Sequence, residues 1–147
     1  MVKNLKVNFS GFFEIKKGIF HKLVEYLKNE LEFDISFLII NFVSADLITQ
    51  INIKYLNHHY STDIITFNYN GNSKKLDGEL YISKEDAKLN AEKFRVSCQD
   101  EYYRLVIHGI LHLIGYDDQN KNAKLVMKRL ENKLLNGFVN YISANKN

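Results

Sequence analysis

The sequence predicts an α+β fold, in which about five helices pack on a small mixed four-stranded sheet. Strand-like and helix-like segments alternate over the first part of the chain. Two strand-like segments then follow one another directly, which favours an antiparallel pair in a mixed sheet. The rest of the chain carries helical periodicity. Because the chain has 147 residues, 46% of them hydrophobic, and no linker-like tract, we expect residues 1–147 to form a single domain.

The first part of the chain predicts two strands and two helices. Segment 5–9 alternates polar and apolar residues, as a half-buried strand does. In segment 18–31 the apolar residues recur at helical spacing. Segment 34–43 is rich in β-branched and aromatic residues, which favours a central strand. Ser44 is placed to cap the second helix, and Asp46 lies in its first turn, where the helix dipole favours a negative charge.

The middle of the chain predicts two consecutive strands and a third helix. The strands are residues 63–69 and 79–83, and residues 70–78, rich in Gly, Asn and Lys, join them as a flexible loop. This pair is expected to form an antiparallel edge of the sheet. The sequence SKED at 83–86 resembles a capping box with Asp in place of Glu, and it opens a helix that ends near Phe94.

Two further helices are predicted after this point. Residues 100–115 are apolar nearly all round, so this helix is expected to be central, with Gly115 as its left-handed C-terminal cap. Residues 120–135 predict an amphipathic fifth helix with a lysine-rich outer face. Residues 137–147 are compatible with a short strand or helix followed by a frayed tail.

Composition limits the classes of protein that fit. The single cysteine, Cys98, allows no intrachain disulfide, and the N-terminal residues lack the hydrophobic core of a secretory signal. The apolar runs are much shorter than the roughly 20 residues of a membrane span. We therefore expect a soluble, cytoplasmic protein. A net charge of +3 permits an anionic substrate without requiring one.

Residues 108–118, HGILHLIGYDD, carry the clearest chemistry in the sequence. His108 and His112 are four residues apart in a helical run, so both rings project from one helix face and can bind one transition-metal ion. Gly115 lets the chain turn back, and the returning Asp118 carboxylate can supply a third ligand. Three protein ligands leave a fourth position open, as in catalytic rather than structural zinc sites.

Simpler explanations of these residues stay open. Histidines on an apolar helix can be core residues whose rings have polar partners, and Asp117 or Asp118 can be the N-cap of the last helix. Asp117 is also a weak candidate for the catalytic proton acceptor, since it stands beside the predicted metal site. At position 109 the chain has Gly, where HExxH metalloproteases have a glutamate base, and this argues against peptide hydrolysis of that type.

The segment at 108–118 resembles the signature of the YbeY family, H-G-x-L-H-L-x-G-Y-D-H. Ten of its eleven positions match or are unconstrained, and the exception is Asp118 in place of the last histidine. Residues 51–67, INIKYLNHHYSTDIITF, resemble the family block L-N-x-x-Y-R-G-x-D-x-P-T-D-V-L-S-F. Residues 77–83, DGELYIS, resemble its block G-D-I-x-I-S. The three blocks follow the family's order and spacing.

This resemblance implies a metal-dependent endoribonuclease that cleaves single-stranded RNA. It implies a role in ribosomal RNA maturation, notably at the 3′ end of the small-subunit RNA, and in ribosome quality control. It also implies an α+β fold with a metal-site helix like that of metzincin proteases. Carried over to this chain, the ligands of one Zn²⁺ ion, or of another divalent metal, are His108, His112 and Asp118. The implied partners are RNA and components of the small ribosomal subunit.

Two departures from the family pattern bear on this assignment. Asp118 replaces the third histidine, and a carboxylate also binds zinc but broadens the metal choice toward harder ions. Leu56 replaces an arginine that would suit a phosphate. Lys54, His58 or His59 could supply that charge, or they could form an ordinary solvated loop.

Other residues are candidates for the cleft and for RNA contacts. Thr62 and Asp63 match the second block and are expected to line the cleft, and Asp63 is a second weak catalytic candidate, with an ordinary turn residue as the alternative. Tyr60 and Tyr69 could stack on unpaired bases. Phosphate contacts could come from lysines, most of which are expected to be only solvated surface: Lys54, Lys84, Lys88, Lys121 and Lys124.

Two other functions remain as alternatives to the nuclease. One is a zinc metalloprotease-like hydrolase, against which Gly109 argues. The other is a non-catalytic RNA-binding factor in ribosome assembly, with a metal that serves only the structure. Leu56 keeps this second alternative open, because the arginine it replaces is the residue expected to meet a phosphate.

Overall fold

The sheet of this protein has four strands in a mixed arrangement. The computed structural model describes residues 1–57, 59 and 61–145, and the strands of this part form a sheet in the order β1-β2-β4-β3. Strands β1, β2 and β4 are parallel, and β3 is antiparallel to β4 at one edge, so the predicted antiparallel edge is confirmed. The bounds are β1 Leu5–Phe9, β2 Asp34–Val43, β3 Ile64–Asn68 and β4 Lys75–Ser83.

Five α-helices accompany this sheet in the described part of the chain, which confirms the predicted α+β class. Their bounds are α1 Lys17–Leu31, α2 Ala45–Ile51, α3 Lys84–Phe94, α4 Cys98–Ile114 and α5 Lys121–Ala144. The predicted cap of α2 is present, since the Ser44 side chain accepts a hydrogen bond from the backbone N–H of Leu47. In α3 the hydroxyl of Ser83 accepts from the N–H of Asp86, as predicted for the first half of a capping box.

The start of β4 and the end of α5 differ from the sequence prediction because of tertiary contacts, and a π-helical turn follows α2. Strand β4 begins at Lys75 rather than at 79, since its first residues pair with the start of β2. Helix α5 continues to Ala144, and the fully buried Phe138 ties this extension to the core through Tyr26 and Tyr103. After α2 the chain continues in a π-helical turn at Asn52–Leu56; the apolar spacing of Leu47, Ile48, Ile51 and Tyr55 predicts a helix here but not its π form.

Helix α4 is the central helix of the fold, as predicted. Ten of its side chains are buried, and it packs against strands β3 and β4 on one side and α5 on another. Gly109 allows this approach, because a Cβ atom at this position would lie 2.8 Å from Cδ2 of Leu80 and 3.0 Å from Cδ1 of Ile64. Gly78, in strand β4, also allows the close approach of α4, because a Cβ atom at this position would lie 2.8 Å from Cδ2 of Leu113. Close packing of α4 therefore fixes the helix on which the histidines lie.

None of the helices in the described part of the chain is long and apolar enough to cross a lipid bilayer. The longest, α5, has 24 residues, but lysines, arginine and glutamate interrupt its apolar side chains.

Candidate metal centre

The three side chains expected to bind a metal meet at the C-terminal end of α4. His108 and His112 project from the same face of the helix, and their Nε2 atoms are 3.0 Å apart. Oδ2 of Asp118 lies 3.7 Å from Nε2 of His108 and 3.9 Å from Nε2 of His112. Among the described residues this is the one group of three or more His, Cys, Asp or Glu side chains with the geometry of a metal site.

The end of helix α4 brings Asp118 back toward the histidines. Gly115 has φ +119°, and its N–H donates to the carbonyl oxygens of Leu111 and His112 at 3.2 and 3.0 Å. The N–H of Tyr116 also donates to the carbonyl of Leu111, at 3.0 Å. This is the helix-ending pattern that glycine favours, and it reverses the chain at once. The predicted cap at Gly115 is confirmed, and it lets Asp118 reach His112 although the two residues are only six positions apart in the sequence.

The donor set fits a divalent metal of the zinc type. In a tetrahedral site with metal–ligand distances of about 2.0–2.2 Å, the ligand atoms are roughly 3.3–3.6 Å apart. The three observed separations, 3.0, 3.7 and 3.9 Å, lie on both sides of that range. Small side-chain adjustments would therefore bring the two imidazoles and the carboxylate into coordination.

A hydrogen bond from α5 fixes the tautomer of His108. Its Nδ1 lies 2.5 Å from Oε2 of Glu131, and the other carboxylate oxygen of Glu131 accepts from Nη1 of Arg104 at 3.0 Å. Glu131 accepts from the Arg104 guanidinium, and we assign it the acceptor role toward His108 as well, with Nδ1 of His108 as the donor. Nε2 of His108 then carries the lone pair and faces Nε2 of His112 and the carboxylate of Asp118, where a metal ion would bind.

The pair of Glu131 and Arg104 belongs to a longer buried network. Arg104 donates through Nε and Nη2 to both oxygens of Glu101, at 2.9 and 2.6 Å, and these bonds are the first cause of a raised pKa for the guanidinium. The side chains of Glu101 and Glu131 are buried. Nδ2 of Asn90 lies 3.2 Å from Oε2 of Glu101 and 3.0 Å from Oδ2 of Asp63. The network therefore links α3, α4 and α5 behind the candidate metal site.

The surroundings of His112 favour its neutral, metal-binding form. Burial lowers the pKa of His112, and the neighbouring His108 lowers it further, while Asp118 and more distant carboxylates act in the opposite direction. A neutral imidazole is the form that binds a metal, so a lowered pKa reduces competition by protons.

Two clefts open beside the candidate metal site. The first, which we call the strand cleft, has a volume of about 450 Å³ and is lined by β3, its preceding residues and the site: Thr62, Asp63, Ile64, Thr66, Asn68, His108, His112 and Asp118. The second, which we call the lysine cleft, has a volume of about 640 Å³ and lies between the α3–α4 junction and α5. His108, Asp118 and Asp63 line both. The metal site is thus at the meeting point of the two clefts.

The structure separates the two weak catalytic candidates. Asp63 lines both clefts and accepts a hydrogen bond from Asn90. Asp117 is exposed, and its Oδ1 accepts from the N–H of Gln119 in a local turn. Neither Asp117 nor Asp118 is the N-cap of α5, because Asn120 caps that helix by accepting from Ala123 at 2.8 Å.

Other candidate residues lie away from the metal site or outside the described part of the chain. Leu56 ends the π-helical turn, is 45% exposed, and lines neither cleft. Lys54 lies over the ring of Tyr55, with Nζ 5.1 Å from its centroid. His58 and Tyr60 lie outside the described residues. Tyr69 is exposed on the sheet and donates to Glu79.

Sequence reasoning missed Glu131 and Arg104, which support His108 from behind. A signal for Glu131 does exist, since it lies at the spacing of the buried Met127 and Leu134 on the apolar side of α5. A carboxylate at a core position needs a partner, and this requirement could have marked it. The partners of Glu131 are determined by the packing of α4 against α5, which cannot be read from the sequence.

Comparison with known proteins identifies a family. The family model described as Endoribonuclease YbeY matches residues 5–139. A Chlorobium limicola protein named Endoribonuclease YbeY is 35% identical over 125 residues, which are 85% of this chain and 86% of that protein. A Bacteroides fragilis protein of the same name is 45% identical over 95 residues, which are 64% of this chain and 67% of that protein.

The fold also matches that of a solved structure. The solution structure of TM1509 from Thermotoga maritima is 25% identical to this chain and aligns with a TM-score of 0.68. The alignment covers 97% of this chain and 93% of that chain. The similarity therefore extends over the sheet and the helices, including α4 with its two histidines.

Proposed function

We propose, because this chain belongs to the YbeY endoribonuclease family, that it is a metal-dependent hydrolase that cuts single-stranded RNA internally. The observation that carries this proposal is the cluster of His108, His112 and Asp118 at the meeting point of two clefts. Three protein ligands leave room for a substrate or a water at the ion, as in catalytic sites. With a cleft on each side of the candidate metal site, an RNA chain would have space on both sides of the scissile phosphate.

The side chains of the site have separate roles in this proposal. His108, His112 and Asp118 hold the ion, which we propose to be zinc, and Glu131 orients His108. When bound, a divalent cation supplies a Lewis acid that stabilises charge on a phosphate oxygen and makes water more acidic. Asp63 is the better-placed of the two proton-acceptor candidates, since it lines both clefts, whereas Asp117 is engaged in a turn.

The finer role rests on the family resemblance of the three sequence blocks. We infer that the substrate is ribosomal RNA, with cleavage at the 3′ end of the small-subunit RNA and a part in ribosome quality control. Components of the small ribosomal subunit would then be partners of this protein, and the cytoplasm its place of action. One domain, formed by residues 1–147, would carry the activity.

The two alternative functions have less support. A glutamate base at position 109 would need the space that Leu80 and Ile64 already occupy, so the usual base of a metalloprotease has no place here. A purely structural metal would normally be enclosed by four protein ligands. Here three ligands are grouped, and the side chain of Asp118 is 44% exposed.

Cleavage of an internally unstructured RNA, labelled at its 5′ end, tests the proposal. We expect the protein loaded with zinc to give internal cuts and the His112→Ala variant to lose the activity by at least about a hundredfold, since a ligand of the ion is gone. Equal cleavage by both proteins would contradict the proposal. A peptide library with the same two proteins distinguishes the protease alternative, for which only the peptides would be cut.

A further inference from the structure

The lysine cleft has an outer wall formed by one face of helix α5. Four side chains of that wall are spaced four residues apart and so lie in a row along the helix: Lys124, Lys128, Asn132 and Asn136. All four are exposed, and within the described part of the chain none of them forms a side-chain hydrogen bond or ion pair. Four polar groups without protein partners are thus directed along a cleft that leads to His108 and Asp118.

The opposite wall of this cleft carries two exposed apolar side chains among polar ones. Phe94, at the end of α3, is 57% exposed, and Val96, in the turn to α4, is 45% exposed. The exposed ring of Phe94 provides a stacking surface for a planar base. The amide side chains on the α5 wall can form hydrogen bonds with base edges.

Charge distinguishes the lysine cleft from the strand cleft. The strand cleft contains no Lys or Arg among its lining residues. The lysine cleft has Lys124 and Lys128 at its wall. Five carboxylates also line it: Glu101 and Glu131 are buried and paired with Arg104, Asp63 accepts from Asn90, Asp118 belongs to the candidate metal site, and Asp100 lies in the first turn of α4. The two lysines are therefore cations available to an incoming anion. A volume of about 640 Å³ lies within the range of roughly 300–1,000 Å³ that is typical of ligand sites.

We propose that the lysine cleft is the subsite for the RNA segment on one side of the scissile phosphate. Lys124 and Lys128 bind backbone phosphates, Phe94 stacks on an unpaired base, and the amides of Asn132 and Asn136 contact base edges. This inference rests on the proposed endoribonuclease function and adds the path of the strand. The sequence alone indicates Lys124 as a phosphate contact, and the packing of α5 beside the α3–α4 junction adds Lys128, Phe94 and the two asparagines.

Binding of RNA without cleavage tests the subsite. The probe is a fluorescein-labelled single-stranded RNA of about twelve nucleotides, and its anisotropy is measured with EDTA present over a range of salt concentrations. The variant is K124Q/K128Q, and the matched control is R129Q/K133Q, which removes two cations at the same spacing from exposed positions of α5 that do not line the cleft. Circular dichroism verifies that both variants keep their helices.

The expected result is a difference between the two double variants. K124Q/K128Q should weaken binding about tenfold at about 0.1 M salt and reduce the salt slope by about 1.4, since each phosphate contact to a single strand contributes about 0.7. R129Q/K133Q should change both quantities much less. Phe94→Ala should weaken binding about tenfold without changing the salt slope, because stacking does not release counterions.

Several outcomes would overturn the inference. They are absence of RNA binding by the native protein, equal losses in the two double variants, and displacement of the RNA by polyglutamate at equal charge concentration, which would indicate an acidic protein as the occupant. If the zinc-loaded native protein cuts RNA but K124Q/K128Q binds as the control does, the subsite fails and the nuclease function stands. If no RNA is cut while the binding difference is present, the nuclease function fails and the cleft is still an RNA-binding surface.

Discussion

Nδ1 of His108, on α4, lies 2.5 Å from Oε2 of Glu131, on α5. This contact connects the candidate metal site to a buried ion pair, since Glu131 also accepts from Arg104. It holds the His108 ring in one orientation and leaves Nε2 for the metal. The helix that follows the metal motif therefore takes part in building the site.

Replacement of Glu131 by glutamine should weaken metal binding. Glutamine keeps the shape of the side chain but supplies a neutral and weaker acceptor to Nδ1 of His108. We expect the zinc affinity to fall by about tenfold to a hundredfold, the usual effect of losing such a supporting group. Competition with a chromophoric chelator measures this, with Glu92→Gln, an exposed carboxylate on α3, as the control. Equal affinities in Glu131→Gln and native protein would show that this contact does not position the ligand.

Replacement of Asp118 by histidine should change the choice of metal. A third imidazole is a softer ligand than a carboxylate, so the ratio of zinc affinity to manganese affinity should rise by about tenfold or more. Competition titrations with the two ions give this ratio directly. Asp46→His, at an exposed position on α2, serves as the control for an added histidine. An unchanged ratio in Asp118→His would argue that Asp118 does not bind the ion.

Replacement of Gly109 by alanine should destabilise the fold. The added methyl group would lie 2.8 Å from Cδ2 of the fully buried Leu80, so helix and sheet must separate slightly. We expect a loss of about 1–3 kcal/mol in the free energy of unfolding, as for other overpacked cores. Gly18→Ala is a matched control in α1, where nothing lies within 4 Å of the new Cβ and the change should be neutral or stabilising by up to about 1 kcal/mol. Urea denaturation of both variants tests the contrast, and equal effects would contradict it.

The stability of the protein should fall at alkaline pH. Partial desolvation of the hydroxyl groups, followed by hydrogen bonding to Glu79, raises the pKa of Tyr69 and of Tyr81 from 10.0 to about 12. The folded protein then holds these protons more tightly than the unfolded chain does. Their contribution is complete below about pH 10 and is lost as the pH rises through about 12. Urea midpoints measured over this window should fall less steeply in Tyr69→Phe than in Tyr116→Phe, and identical slopes would remove the explanation.

The grouping of the three candidate ligands can be predicted from the sequence, because it depends on local geometry. His108 and His112 lie four residues apart on one helix, and Gly115 reverses the chain so that Asp118 returns to them. The supporting network could not be predicted in the same way. Glu131 is 23 residues from His108, and their contact follows from the packing of α4 on α5, which local periodicity does not specify.

The limits of the fold prediction have the same origin. Strand β2 and helix α3 can be located from the local sequence, because β2 is rich in β-branched and aromatic residues and α3 begins with a capping sequence. The early start of β4 at Lys75 depends on pairing with Asp34, and the length of α5 depends on the burial of Phe138. In both segments the local composition is polar, and long-range contacts determine where the strand begins and where the helix ends.

The most direct test of the central claim is a titration of the chelator-stripped protein with zinc while RNA cleavage is followed. We expect the rate to rise in proportion to added zinc and to reach a plateau at one ion per chain. The His112→Ala variant should stay inactive through the same titration. Full cleavage by the stripped native protein, or a plateau of equal height in the variant, would contradict the claim that His108, His112 and Asp118 hold the ion on which the activity depends.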